Sequence, residues 1–492
     1  MPLIADAFSS QVRPVLLGRA GAIAAAHPLA VAAGQQMLAA GGTAADALIA
    51  AQAVLCVIMP DACGLGGDML ALVRGPDAVI EAINGTGAAP IGMTRVSNDG
   101  PDSVTVPGIV DAWCTLHHRH GRLPLGTSLA PAIGLARDGM RVSPALARAL
   151  SAQRARLGKG GAATWALFGR GQGDLIVQPE LAALLHRIAA DGALAFYRGD
   201  GARAITAAIH ARGGALNEAD MAAHRTEVAS PIETGWGACT LATQPPMTQG
   251  VLLSMAAAGF ARLDTLSRDL YDHAAIELTE AAFGYRADAS RGRELLEITL
   301  PVDLARASLR GGPRAYLHTA GVAVADAGGM VISSLVSVFD DFGSAVFVPE
   351  LGITLNNRAG GFTHGANAAA PGKRPVHTLA PAMLSTPHGV LALATPGADG
   401  QVQTLLQVLI AVVREKLDLA AAIARPRWRS EEGLLLIEES HPARERLAAL
   451  GHRVTPLPDG EMRFGAVVGA GYVGDVPLAV ADWRRETWAG VA

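Results

Sequence analysis

Residues 319–337 constrain this chain more than any other stretch. An apolar, strand-like run, Ala320-Gly321-Val322-Ala323-Val324-Ala325, ends in the turn Asp326-Ala327-Gly328-Gly329. A second apolar run with hydroxyls follows, Met330-Val331-Ile332-Ser333-Ser334-Leu335-Val336-Ser337. Two such runs around a Gly-containing turn predict paired strands. Thr319 stands directly before the first. Taken alone, a Thr there reads as a β-branched residue in a half-buried strand. A second reading is chemical. If the peptide bond between His318 and Thr319 is cut, the Thr319 hydroxyl gains its own α-amine as a base, with an ordinary pKa of roughly 7.7–8.0.

The chain has 492 residues, long enough for two or more lobes or one large multilayer domain. Half of them are apolar and 17% charged, the balance of a globular protein with a large interior. Aromatics at 4% argue against base-stacking platforms, and a net charge of −4 without a basic run argues against a nucleic-acid partner. The scattered Arg425, Arg427, Arg429, Arg484 and Arg485 are expected on a solvated surface. Of four cysteines none forms a CxxC pair, and Cys56 and Cys114 read as small buried hydrophobes. That usage fits a reducing cytoplasm. Met1–Asp6 shows no signal-peptide pattern. Ala44 to Met59 is nearly all apolar, interrupted by Asp46 and Gln52. It is short for a membrane span and predicts a buried central helix, capped by Thr43.

A Gly-rich turn, Gly64-Leu65-Gly66-Gly67, follows that helix. Met69–Val73 and Ala78–Ala82 read as a strand pair. Helical periodicity marks Asp111–His120, Leu129–Arg137, Ser143–Ala155, Pro179–Asp191, Gly201–Arg212 and Tyr271–Arg286. Cys239–Thr243 reads as a strand. After Thr319 the texture is strand-rich, at Val322–Val324, Met330–Phe339, Ala345–Phe347, Met383–Ser385 and Val390–Ala394. Helices follow at Thr404–Glu415 and Leu419–Ala424. The order is α+β in character. The one candidate linker is Ala359 to Pro375. No His, Cys and carboxylate cluster shows metal-ligand spacing, and His117, His118 and His120 point to different faces of a helix.

These pieces together resemble the γ-glutamyltranspeptidase family of N-terminal nucleophile hydrolases. The resemblance rests on blocks that follow one another in order. They run from Gly41-Gly42-Thr43-Ala44-Ala45-Asp46 and Gly64–Gly67, through Val106-Pro107-Gly108, Leu129-Ala130-Pro131 and Pro245–Gly250, to Gly352-Ile353-Thr354-Leu355-Asn356-Asn357 and Thr395-Pro396-Gly397. It implies a four-layer αββα sandwich. It also implies autocatalytic cleavage between His318 and Thr319 into a large subunit, 1–318, and a small one, 319–492. Thr319 matches the family's nucleophile and Ser337 a supporting hydroxyl. Gly397 and Ala398 match the pair of backbone N–H groups that hold the oxyanion. A small-molecule amide would be the substrate, with no cofactor, metal, nucleic acid or membrane partner. A dimer of heterodimers is one assembly the resemblance allows.

The glutamate-gripping positions depart from the family. The Arg position reads Thr86, the Asn position Phe339, the Asp that holds the α-amine Gly361, and the Ser-Ser pair His377-Thr378. Losing a cation for the α-carboxylate and an anion for the α-amine removes two charge-assisted contacts. What remains nearby is Arg358, Thr86, His377, Thr378, Asp399 and Gln401. Arg358 is placed either to pair with a substrate carboxylate or in an exposed loop. His377 reads as an orienter of a leaving group or as a structural loop His. The pattern resembles the acylase and oxamate-amidohydrolase-like branches. Three alternatives stand beside that reading. One is a γ-glutamyltransferase or glutathione hydrolase with an altered glutamate pocket. Another is a non-catalytic relative. The third is a nucleotide binder using Gly64–Gly67, which lacks the P-loop Lys.

Overall fold

The computed structural model describes residues 12–313 and 318–492. Two seven-stranded sheets form its centre. Numbered in chain order, their strands are β1 (Leu16–Leu17), β2 (Gly21–Ala25), β3 (Asp68–Arg74), β4 (Ile80–Gly85), β5 (Glu227–Ala229), β6 (Ile232–Trp236) and β7 (Cys239–Thr243). They continue with β8 (Ala320–Asp326), β9 (Val331–Ser337), β10 (Ala382–Thr386), β11 (Gly389–Ala394), β12 (Val468–Val473), β13 (Val476–Ala481) and β14 (Trp488–Val491). One sheet runs β14-β2-β8-β9-β3-β4-β5 and the other β1-β13-β12-β11-β10-β7-β6. The hairpin expected after Thr319 is β8–β9, with Val322 paired to Ser334 and Val324 to Ile332.

Period-two alternation divides β8 between two cores. Ala320, Val322 and Val324 face a helical layer, whereas Ala323 and Ala325 face the second sheet. The space between the sheets is lined largely by alanine, including Ala22, Ala24, Ala392, Ala394, Ala470 and Ala479. Small side chains let the sheets approach closely, and a Cβ added at Gly321 would come within 3.3 Å of the Ala394 side chain. The Ser333 hydroxyl crosses that gap and donates to the Leu393 carbonyl at 2.7 Å.

Helices cover both outer faces. On one side lie α1 (Pro28–Ala39) and α2 (Ala44–Ile58), with a helical lobe beyond them that includes Ile109–His120, Leu125–Asp138 and Pro179–Asp191. On the other lie α3 (Gly250–Ala261), α4 (Tyr271–Phe283) and α5 (Gly400–Val413). The order helix, sheet, sheet, helix is the αββα sandwich.

α2 is the central helix expected from the sequence. All 15 of its residues are buried, and Thr43 and Asp46 close a capping box at its start. Its polar interruptions are both used. Asp46 accepts from the Thr43 amide at 2.8 Å. Gln52 donates to Ser334 Oγ and accepts from the Trp113 indole N–H, each at 2.8 Å. Among the described residues no helix is long and apolar enough to cross a membrane. The reading of Met1–Asp6 lies outside the described residues.

Two expectations need correction. Arg427, Arg429 and Arg484 are buried, not solvated. Asp482 pairs with both Arg427 Nη2, at 2.6 Å, and Arg484 Nη1, at 3.0 Å. Arg484 Nε adds a bond to Glu438 at 2.9 Å. Second, Ala359–Pro375 is not a linker: Asn367 ties the loop by donating to the Gly361 carbonyl and accepting from the Val376 amide, both at 2.8 Å. In the Gly-rich turn, Gly66 and Gly67 serve close backbone packing. A Cβ at Gly66 would meet the Thr354 carbonyl at 2.1 Å, and one at Gly67 would meet that of Ser337 at 2.4 Å.

Candidate functional site

Thr319 is buried one residue before β8. Because Ala320 pairs with Val336, Thr319 lies beside Ser337 at the end of β9. Thr319 Oγ1 donates to the His318 carbonyl at 2.6 Å, and Ser337 Oγ lies 3.5 Å from the same oxygen. Ser337 is fixed in turn by the Phe339 amide, which donates to it at 2.9 Å. Two hydroxyls thus converge on the carbonyl of the peptide that precedes Thr319.

The His318 ring is held on both sides. Its Nδ1 lies 3.4 Å from Asp61 Oδ2 and its Nε2 2.9 Å from Asp341 Oδ1. Burial alone would lower its pKa, but the two carboxylates outweigh burial and lift it to about 9, so the ring is an imidazolium at neutral pH. In return Asp341 is held below its ordinary value, since His318 outweighs burial there too. His318, Thr319, Asp61, Asp341 and Pro396 line one cavity of about 520 Å³, with Arg148, Trp483 and Arg485 on its walls.

Pro396 leads into Gly397 and Ala398. Both have positive φ, 126° and 46°. Among the described residues neither amide N–H has a hydrogen-bond acceptor. The loop ends at the first turn of α5, whose dipole adds positive potential there. Gln249 braces the loop by donating to the Ala398 carbonyl at 2.8 Å and also to that of Thr378. Asp399 is tied to Arg286 at 2.8 Å, and Gln401 accepts from the Ala380 amide at 2.8 Å.

A second polar group lies off this cavity. Arg358 is fully buried, not in an exposed loop. Its Nε donates to Asp68 Oδ2 at 3.0 Å, and its guanidinium carbon lies 4.5 Å from the Phe339 ring centroid. Its Nη1 and Nη2 have no partner. Asp68 is the register partner of Ser337, which joins this group to the nucleophile's hairpin. His377 Nδ1 accepts from the Leu379 amide at 3.0 Å, so Nε2 carries the proton and faces Asp68 Oδ2 at 3.3 Å. Burial, with Arg358 nearby, lowers the His377 pKa to about 4, so in that contact a neutral ring donates to a charged carboxylate. Burial would raise the pKa of Asp68, but His377 and Arg358 hold it below its usual range.

Thr86 and Gly361 contribute least. Both are buried, and Thr86 closes on Asn84 through its amide at 3.0 Å and its hydroxyl at 2.7 Å. Asp61, Asp68 and Asp341 were not visible as site residues in the sequence, because nothing local links them to His318 or Arg358. The structure also gathers His273, Glu277 and His452, with ligand atoms within 4.8 Å, where sequence spacing showed no such group.

Comparisons with known proteins agree with this architecture. A family profile described as Gamma-glutamyltranspeptidase matches residues 30–492. The chain is 32% identical to Acylase ACY 1 proenzyme of Pseudomonas sp. (strain V22), over 93% of this chain and 91% of that protein. It is 33% identical to Oxamate amidohydrolase proenzyme of Klebsiella pneumoniae, over 89% and 92%. The crystal structure of cephalosporin acylase from Bacillus halodurans superposes with a TM-score of 0.88 and 29% identity, covering 100% of this chain and 99% of that one. On the profile match, the relatives and the shared four-layer fold, this chain belongs to the γ-glutamyltranspeptidase family and is a hydrolase with the N-terminal-nucleophile fold.

Proposed function

We propose that the chain is a precursor that cuts itself between His318 and Thr319 and then hydrolyses a small carboxylated or acyl amide through an ester on Thr319. The observation that carries this reading is the Thr319 hydroxyl, buried and 2.6 Å from the carbonyl oxygen of His318. In maturation, Oγ1 adds to the His318 carbonyl carbon, the C–N bond breaks, and the acyl group passes from nitrogen to oxygen. Water then releases His318 as a carboxylate and leaves Thr319 with a free amine. In turnover that amine takes the hydroxyl proton and passes it to the departing amine. The Gly397 and Ala398 amides receive the developing O⁻, supported by the α5 dipole. The relatives named as proenzymes, an acylase and an amidohydrolase, support both halves of this reading.

Arg358 supports a carboxylated acyl group. A buried guanidinium with two unmet nitrogens is a receptor for a planar anion. A second reading, a γ-glutamyl substrate, is favoured by Asp68 Oδ1, which is buried without a partner and is suited to an α-ammonium. The test is a denaturing gel with Edman sequencing of the smaller fragment, expected to begin Thr-Ala-Gly-Val, and a substrate panel of oxamate, glutaryl amides and γ-glutamyl amides. Thr319→Ala should remain one chain and release no product. An active wild-type protein of unbroken mass would end the proposal.

A further inference from the structure

The clamp around His318 is filled by a group that maturation removes. Before cleavage it holds an imidazolium, between carboxylates at 3.4 and 2.9 Å. Cleavage turns His318 into the end of a separate chain, free to leave. Asp61 and Asp341 then face the cavity of about 520 Å³ without the imidazolium that lay between them. Arg148 and Arg485 line the same cavity, and Asp61 acts electrostatically on Arg485, so the emptied clamp keeps part of its counter-charge. Arg156, whose charge acts on Asp341, is committed to the Asp341 carbonyl at 2.6 Å, the Gly343 carbonyl and, at 2.9 Å, Asp99. Arg484 is committed to Glu438 and Asp482. Asp341 also keeps a long contact from Gln153 at 3.4 Å.

We infer that the vacated clamp of Asp61 and Asp341 is a binding subsite for a small organic cation, an ammonium or imidazolium carried on the amine half of the substrate. This inference rests on the proposed cleavage before Thr319. The amine half is assigned because Arg358, His377 and Thr378, the groups suited to the acyl half, do not line this cavity. The two carboxylates already show the geometry they impose on a cation, with both ring nitrogens of one small ring engaged. Two carboxylates, Asp61 buried and Asp341 partly buried, repel once the ring between them is gone, and a bound cation relieves that repulsion.

The test uses 4-methylimidazole, the side chain of His318 as a free molecule, at pH 6.5, followed by ligand-observed NMR and calorimetry. Matured wild type, with cleavage confirmed by mass, is expected to bind it and to lose at least tenfold in affinity on Asp341→Asn or Asp61→Asn. The uncleavable Thr319→Ala precursor, whose clamp is filled, is expected not to bind. Thr319→Ala combined with His318→Ala, whose clamp is empty without any cleavage, is expected to bind. Matured wild type that does not bind would overturn the inference while leaving the cleavage reading intact. An uncleaved active wild type would overturn the cleavage reading instead. If the Asp variants fail to fold, the contrast between the two Thr319→Ala precursors decides, and equal binding by both overturns the inference.

Discussion

The hydroxyls of Thr319 and Ser337 meet on one oxygen, the carbonyl of His318, at 2.6 and 3.5 Å. Their roles differ by geometry. On the proposed cleavage Thr319 supplies the attacking atom, and Ser337 steadies the oxygen on which charge develops. Its contact is long, so its share is smaller than that of a well-aligned oxyanion donor. Ser337→Ala should slow maturation by about tenfold, equivalent to ~1.4 kcal/mol of barrier. Thr319→Ser should still mature, since a hydroxyl remains. Band intensities on a denaturing gel over time give both rates.

The raised pKa of His318 predicts a pH-dependent precursor. A group whose folded pKa stands at about 9, against an ordinary 6.5, contributes stability that is fully present below pH 6.5. That contribution is lost as pH rises through 9. In the uncleavable Thr319→Ala protein the fall is up to about 3 kcal/mol. Adding His318→Gln should flatten the curve between pH 6.5 and 9. Thermal melts across that window read the difference.

Gly397 and Ala398 differ in what they tolerate. Gly397 has φ of 126°, where a side chain is strained, so Gly397→Ala should displace the N–H pair. Amide hydrolysis should drop about 10²-fold or more, with the melting temperature within a few degrees of wild type. Ala398 sits at φ of 46°, in the left-handed region that Ala reaches at about 1 kcal/mol. Ala398→Gly should therefore mature and turn over amides at a rate close to wild type.

Asp482 pairs with two buried guanidinium groups, Arg427 and Arg484, whose second counter-charge is Glu438. Asp482→Asn leaves one surplus buried positive charge beside Glu438. The change should destabilise the protein by about 3–5 kcal/mol. Chemical denaturation of Thr319→Ala with and without it measures this apart from any effect on cleavage.

What the sequence revealed follows the range of its signals. The β8–β9 hairpin was legible because its apolar runs and Gly turn are contiguous, and α2 because Thr43 caps a nearly unbroken apolar run. β2, β12, β13 and β14 were missed. β2 is Gly-Ala-Ile-Ala-Ala and β12 is Val-Gly-Ala-Gly-Tyr-Val, small residues chosen for sheet contact, with little of the β-branched alternation that marks a strand. The buried arginines were misread because charge predicts exposure until a partner is known. Asp482 and Glu438 become the partners of Arg484 only through the fold. His318 was seen as a cleavage neighbour, but its clamp joins Asp61 and Asp341 from two separate loops.

The strand order β14-β2-β8-β9-β3-β4-β5 interleaves the two sides of position 318. β8 and β9, from after the cut, lie between β2 and β3, from before it, and β14 flanks β2 from outside. A break there is a nick in a woven fabric. Three ladders of this sheet, β14–β2, β2–β8 and β9–β3, join the two proposed fragments, so they should travel together through gel filtration and come apart only when the sheet itself is unravelled.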